Sequence, residues 1–360
     1  MSRKNVGILL TSIDVGGVSS LFLDLIRAMN PDKVNWMLAA SSCWSDDIWL
    51  GKFASEIMYG TGPMAIEGLK AHCDAIIIGE NREAAYYLAD YEGKVIFLSH
   101  GSGTWSRQAF NASAPVATHL AAVSTACKRA FPARYQDQVE VVLSGCDPVR
   151  ILPTNTREAL RAKHGIPQKA VCVAYIGRYS PEKNWLAPAM YCGESGKWAI
   201  YQGYPTSSDA EDFQERINGI TEGRCTFIDR YAHVGDTLSM TDVLMMPSRE
   251  EGFSIGIIEA WLAGVPVVST PVGILDDRSW ANDIGSTISK WASIISHGAS
   301  TNEIERSVES ALSGKNSFDI QSIRASALGS FSSQAMAKRW ETYLDKIFRE
   351  EELVGNTPSS

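Results

Sequence analysis

Short runs of Val, Ile and other apolar residues recur along nearly the whole chain, and they do not alternate with polar residues. Val6–Leu10, Trp36–Ala40, Ala75–Ile78, Val95–Leu98 and Val139–Leu143 form a first set. Val171–Ile176, Trp198–Tyr201, Thr226–Ile228, Val243–Met246 and Val265–Ser269 form a second. Runs of this kind suit parallel strands buried on both faces. Helical stretches fall between them, among them Ser19–Met29, Arg82–Tyr91 and Thr156–His164. Strand alternating with helix predicts an α/β chain of doubly wound sheets.

A chain of 360 residues suggests two domains, and the ten runs divide best into two sheets of about five strands. The break is placed at Gly145–Asn155, where Pro148, Pro153 and Asn155 interrupt the pattern before a capped helix. The expected domains are 1–150 and 151–333. A helix over 334–352 carries Met336, Trp340, Leu344 and Ile347 on one face, and 353–360 form a tail expected to be disordered from Gly355 on. With 45% hydrophobic residues, both domains can bury sizeable cores. The net charge of -8 argues against a nucleic-acid partner and against attachment to anionic lipid by charge alone. It leaves phosphorylated ligands open, since these need only a local cluster of cations. No apolar run reaches the roughly 18 residues of a transmembrane helix. Seven dispersed cysteines without a CxxC pair read as reduced thiols, so a cytoplasmic protein is expected, with peripheral attachment to a membrane left open. The six histidines do not cluster with them, so no metal site is expected.

In open α/β sheets ligands bind beyond the carboxyl ends of the strands, and small, polar and charged residues collect there. Gly16-Gly17 follows the first run and Ser99-His100-Gly101 the fourth. Gly177-Arg178 through Lys183 follows Val171–Ile176, and Pro247–Ser254 follows Val243–Met246. Two sheets facing each other would enclose a cleft lined by these residues. The helix starting near Ser254 is apolar almost all round and should be buried, so Glu259 on it needs a specific polar partner. Sugar hydroxyls would serve, because a carboxylate accepts two hydrogen bonds from a vicinal diol; a buried Arg or Lys would serve equally. The helix amino end offers N–H groups and a favourable dipole to a phosphate, and Glu251 precedes it. Arg178 and Lys183 could neutralise a diphosphate leaving group or lie solvated on the surface. His100 could face a substrate or be a satisfied strand-end histidine. Gly16-Gly17 could let backbone approach a phosphate or merely shape a turn.

Two segments imitate other chemistries. Gly193-Glu194-Ser195-Gly196-Lys197-Trp198 hints at a phosphate loop, but its glycine spacing is too short and Trp198 stands where Ser or Thr belongs. Gly252-Phe253-Ser254-Ile255-Gly256 matches the GxSxG of a nucleophile elbow, yet Pro247–Glu251 separates it from the strand and only His297 follows as a base. No GxGxxG dinucleotide fingerprint is present.

The stretch Pro247–Ser254 through Ile258–Val268 resembles the signature of glycosyltransferase family 4. It has two glutamates, Glu251 and Glu259, then an EA-x-x-x-G-x-PVV run. Gly16-Gly17-Val18, Ser99-His100-Gly101, Val123-Ser124, Val141–Asp147 and Gly177-Arg178 with Lys183 are similar to further segments of that family. Two departures stand out. Ser144 replaces the usual asparagine before Gly145, and Cys43–Gly68, where an acceptor would be met, matches nothing familiar.

The resemblance implies two Rossmann-like domains of GT-B type, the first for the acceptor, the second for the donor, with the final helix crossing back to the first. It implies a retaining transfer of a hexose or related sugar from a nucleoside-diphosphate sugar to a hydroxyl, and because Arg178, Lys183 and a helix end are on offer with no Asp-x-Asp beside a suitable strand, the transfer is expected to be metal-independent. That donor is a co-substrate, and no cofactor is implied. The acceptor is open: saccharide, lipid-linked or small-molecule. Arg178 and Lys183 would hold the diphosphate, and Gly16 and Gly17 would lie near it. Glu251 would contact the donor sugar, with the Gly252, Phe253 and Ser254 backbone around sugar and phosphate. Glu259 would hold the ribose and His100 would sit near the transferred sugar. The alternative is an epimerase or hydrolase of nucleotide sugars on the same fold.

Overall fold

The computed structural model describes residues 3–14, 16–42, 46–206, 212–276, 292–317 and 320–354. Gly355–Ser360, expected as a disordered tail, and Cys43 lie outside the described residues. The chain divides into two compact units: Met1–Cys146 with Ser333–Ser360, and Asp147–Ser332.

The first unit holds a seven-stranded parallel sheet: β1 (Lys4–Leu10), β2 (Val34–Ala40), β3 (Met58–Thr61), β4 (Ala75–Gly79), β5 (Lys94–Ser99), β6 (His119–Ala122) and β7 (Val139–Val141). Their order is β3-β2-β1-β4-β5-β6-β7, the reversal beside β1 that marks a doubly wound sheet. β4, with the sequence AIIIG, is buried at every position. Burying each of its isoleucines contributes roughly 1.5–3 kcal/mol, which is why a run with no polar alternation becomes a central strand. The final helix, Ser333–Val354, belongs to this unit. It buries Met336, Trp340, Leu344 and Ile347, the stripe expected from its periodicity, and packs on the helix Gly17–Ala28.

The second unit holds a six-stranded parallel sheet: β8 (Cys172–Tyr179), β9 (Trp198–Pro205), β10 (Cys225–Ile228), β11 (Val243–Met246), β12 (Val267–Ser269) and β13 (Ala292–Ile294), in the order β10-β9-β8-β11-β12-β13. Val173, Tyr201, Met245 and Val268 from four of its strands meet in one core cluster with Val308. The helix Ile255–Ala263 stops at Gly264, whose φ of 77° ends the helix while its N–H donates back to the Ala260 and Trp261 carbonyls. That left-handed stop, followed by Pro266, turns the chain straight into β12.

Three strands exceed the ten runs. β3 and β6 have four residues each and β13 three, too few apolar positions to declare themselves. The helix expected over 82–91 is only Ala84–Tyr87. The Tyr91 hydroxyl donates to the Cys73 carbonyl at 2.7 Å, drawing the chain back toward β4. At the amino edge of the second sheet, Asp242 binds Arg157 at 2.7 Å and buried Arg161 at 3.0 Å and accepts from the Cys172 N–H. This network fastens the strand starts and leaves the carboxyl ends to other work.

Candidate active site

In the second unit two loops leave the carboxyl ends of neighbouring strands β8 and β11. The Arg249 N–H donates to the Glu182 carbonyl at 2.7 Å, tying one loop to the other. Across that tie Lys183 Nζ lies 2.8 Å from Glu251 Oε1 and donates to the Glu250 carbonyl at 3.2 Å. The Ser248 hydroxyl donates to the same Glu251 oxygen at 2.9 Å. The Thr270 hydroxyl donates to the Ser248 carbonyl, linking this loop to the end of β12. The fold thus brings the expected diphosphate lysine and the expected sugar-binding glutamate into one ion pair.

Arg178 is placed differently. Half of its side chain is exposed, and Nη2 is 3.6 Å from Glu182 Oε1. The Tyr175 hydroxyl donates to the Arg178 carbonyl at 2.6 Å and holds this backbone. Burial, reinforced by the Glu251 carboxylate, pushes the Tyr175 phenol well above its usual range, so it stays a donor. Burial raises the Glu182 carboxyl, but the Ser180 hydroxyl at 2.6 Å, a backbone bond, Arg178 and Lys183 outweigh that and hold it below the ordinary value.

Ser254 stands just ahead of the helix Ile255–Ala263 with φ 71° and ψ 66°, a left-handed conformation that a serine adopts at a cost. Its buried hydroxyl has no hydrogen-bond partner among the described residues. No side chain caps the helix amino end; the Ile257 N–H donates to the Ser254 carbonyl at 3.0 Å, and the N–H groups ahead of it have no side-chain acceptor among the described residues. Phe253 is buried, packs its ring edge on Phe331 and accepts from the Ile274 N–H at 3.2 Å. Gly252 precedes it in the same turn.

Glu259 is buried, and its Oε1 lies 2.6 Å from Arg150 Nη2. Of the two partners that the sequence left open, a cation and a diol, the fold itself supplies the cation. Arg150 comes from the turn Pro148–Ile151 that opens the second unit.

In the first unit His100 follows β5. Its Nδ1 is 3.5 Å from Glu80 Oε2, and its buried Nε2 has no partner among the described residues. Glu80, which no sequence motif singles out, is 5% exposed with φ 50°. Its Oε1 accepts from the Ser99 hydroxyl (3.2 Å), the His100 N–H (3.0 Å) and the Gly101 N–H (2.8 Å). A single carboxylate thus fixes the loop and faces the imidazole. Gly79 makes room, since a Cβ there would sit 2.9 Å from Leu10 Cδ2 and 3.4 Å from His100 Nε2. Gly16 precedes Gly17, the first residue of the helix Gly17–Ala28. Its φ is 164°, and a Cβ at this position would meet nothing within 4 Å, so neither its backbone nor its surroundings require glycine. The turn alone therefore does not explain Gly16.

The two imitating segments have other roles. Lys197 pairs with Glu305 at 3.1 Å and Glu309 at 3.3 Å, pinning the helix Thr301–Ser317 to the start of β9. Pro247–Ser254 separates β11 from its helix, so Ser254 does not sit on an elbow at a strand end.

Residues 172–284, which include Arg178, Lys183, Glu251–Ser254 and Glu259, match the family model Glycosyl transferases group 1. These findings support a glycosyltransferase. The D-inositol 3-phosphate glycosyltransferase of Mycolicibacterium smegmatis is 28% identical over 177 residues, covering 45% of this chain and 40% of that protein. The matched part is therefore well under two thirds of that relative's length. Anabaena HepE in complex with UDP-glucose superposes with a TM-score of 0.79 at 16% identity, covering 96% of this chain and 100% of that one. Sucrose-phosphate synthase from Thermosynechococcus elongatus does so at 0.71 and 13% identity, covering 97% and 100%. The architecture is that of the GT-B glycosyltransferases.

Proposed function

We propose that the chain is a retaining glycosyltransferase of family 4 type that moves a hexose or related sugar from a nucleoside-diphosphate sugar to a hydroxyl, without a metal ion. The observation that carries this reading is the Lys183–Glu251 pair, set beside Arg178 and an uncapped helix amino end within the family-matched segment. In this reading Lys183, Arg178 and the helix end take the diphosphate. Glu251, released from Lys183, accepts hydroxyls of the donor sugar, and the Gly252–Ser254 backbone closes around sugar and phosphate. Glu259 accepts the ribose diol while keeping Arg150 as its countercharge. His100, with Nδ1 toward Glu80, offers Nε2 to a ligand hydroxyl.

The acceptor oxygen attacks the anomeric carbon from the leaving-group face. The bond from that carbon to the phosphate oxygen breaks, and the new glycosidic bond forms. The acceptor proton passes to the departing phosphate oxygen, giving a glycoside and a nucleoside diphosphate. Glu251 precedes the phosphate-binding helix and Glu259 lies on it, both on the leaving-group side in this reading, which disfavours either as a base for inversion.

A thermal-shift panel of nucleoside diphosphates and their sugars, beginning with the uridine series, tests donor binding. A ligand at a hundred times its Kd adds about 2.7 kcal/mol. Proton NMR of fresh product should show the donor's anomeric configuration, and chelator should leave turnover intact. An inverted anomer would remove the mechanism, and a sugar altered without acceptor would reveal an epimerase.

A further inference from the structure

The segment from Arg178 to Trp185 carries both cations of the candidate site, and its own bonds are local. It contains the short 3-10 turn Pro181–Lys183, in which the Lys183 N–H donates to the Ser180 carbonyl at 3.0 Å and the Asn184 N–H to the Pro181 carbonyl at 3.3 Å. Asn184 then takes φ 51°, a left-handed step that redirects the chain. The strand behind this segment is supported unevenly. β8 pairs with β11 through Val173 and Ala174, but it follows β9 as far as Tyr179, opposite Pro205. Gly203 permits that close run, since a Cβ there would strike the Gly177 carbonyl oxygen. The β8–β11 ladder therefore ends short of the residues that carry charge.

Two buried tyrosines take over where that ladder stops. Tyr175 of β8 and Tyr201 of β9 are register partners, and their rings lie 5.5 Å apart at 35°. Each sends its hydroxyl out of the core to one end of the segment. The Tyr175 hydroxyl donates to the Arg178 carbonyl at 2.6 Å, and the Tyr201 hydroxyl donates to the Trp185 carbonyl at 2.8 Å. Packing alone does not call for these hydroxyls, because phenylalanine would fill the same core with no polar atom to satisfy. Burial pushes the Tyr201 phenol, like that of Tyr175, well above its usual range, so both stay donors.

We propose that Tyr175 and Tyr201 are positioning residues, a pair of core phenols that clamp both ends of the Arg178–Trp185 segment and so hold Arg178 and Lys183 in place for a diphosphate. That the held cations serve a diphosphate rests on the transfer reaction proposed above; the clamp rests on the two hydroxyl bonds. Such placement matters because groups that stabilise developing charge act by being in position beforehand, and a misplacement of about 1 Å can cost about a hundredfold in rate.

Hydrogen exchange of the free protein tests the clamp. Release of uridine diphosphate from uridine-diphosphate glucose, with water as acceptor, tests its consequence. In Tyr175→Phe and in Tyr201→Phe the Lys183 and Asn184 amides should exchange about tenfold faster, while the amides of β11 keep the parent's protection. In each variant kcat should fall about tenfold with donor KM little changed, since the loss falls on developing charge. Tyr175→Phe should add little to Arg178→Ala, and Tyr201→Phe little to Lys183→Ala, because each hydroxyl acts through the cation nearest its end. Tyr191→Phe removes a hydroxyl from the same core, beside Lys197 rather than this segment, and should match the parent in both measurements. Parent-like exchange at Lys183 and Asn184 in either phenylalanine variant would overturn the proposal. So would losses of kcat that multiply with those of Arg178→Ala and Lys183→Ala. A parent protein that releases no uridine diphosphate would instead count against the transfer reaction, and the exchange rates would still decide what the tyrosines hold.

Discussion

Arg150 Nη2 lies 2.6 Å from Glu259 Oε1, with the arginine about one-quarter exposed and the glutamate nearly covered. A carboxylate on an otherwise apolar helix is thus neutralised from within the protein. A ribose diol would add to this pair, since a carboxylate accepts more hydrogen bonds than one guanidinium nitrogen supplies.

Glu259→Ala is therefore expected to act twice. Without ligand it should lower stability by about 1–3 kcal/mol, the cost of breaking a buried pair discounted for the exposure of Arg150. With donor it should raise KM and spare kcat, because ribose contacts are similar in ground and transition states. Urea unfolding of the free protein and donor titration separate the two. Lost stability with unchanged donor affinity would leave Glu259 with the arginine alone.

Lys183→Ala and Arg178→Ala should each reduce turnover by on the order of a hundredfold, the usual loss when a group stabilising developing charge is removed. Their folded states should differ. Arg178 is half exposed and its removal should be silent in a melt, whereas removing Lys183 takes the cation from beside a largely buried Glu251 and should lower the Tm. Near-normal kcat for either variant at saturating donor would strip that residue of its role.

Ser254→Gly should relieve the left-handed backbone and raise the ligand-free stability by about 1 kcal/mol, seen as a Tm rise of a few degrees. Ser254→Ala keeps the strain and removes the unpartnered hydroxyl. If that hydroxyl meets the donor, both variants lose donor affinity; if only the backbone does, both bind as the parent does.

Glu80→Gln keeps an oxygen for the Ser99, His100 and Gly101 donors, so stability should change by no more than about 1 kcal/mol. Glu80→Ala removes it from a buried site and should cost about 2–4 kcal/mol. In the Gln variant an amide N–H can replace the oxygen facing Nδ1. The imidazole should then shift its proton to Nε2, which nitrogen-15 NMR of His100 reads directly, and turnover should fall roughly tenfold or more. An unchanged tautomer would separate Glu80 from the histidine.

Much of the fold and of the candidate site is legible in the sequence because both depend on local signals. Ile76 to Ile78, a short β-branched run without polar alternation, suit a buried strand, and Glu251, Glu259 and Gly264 lie within one loop–helix–strand unit whose spacing is set by helix geometry. What escaped depends on distant pairings. Arg150 and Glu259 are far apart in sequence, so spacing told only that the glutamate needs a partner. Glu80 left one trace, an acid directly after an all-apolar strand, and its neighbour across the sheet supplies its meaning. The strand β3 was hidden because Met58 and Tyr59 are exposed at a sheet edge and give no buried pattern.

The first unit is assembled from both ends of the described chain: β1 to β7 come early, and the helix Ser333–Val354 that carries Trp340 and Leu344 comes last. On the ribosome this sets an order of events. The 147–332 unit is continuous and holds all its own residues once it has emerged, so it can fold as a piece during synthesis. The unit that precedes it must wait, with the surface on the helix Gly17–Ala28 uncovered, until translation has delivered the helix Ser333–Val354. A ribosome stalled after residue 332 would therefore present a finished second unit and an unfinished first one, the inverse of the order in which they were made.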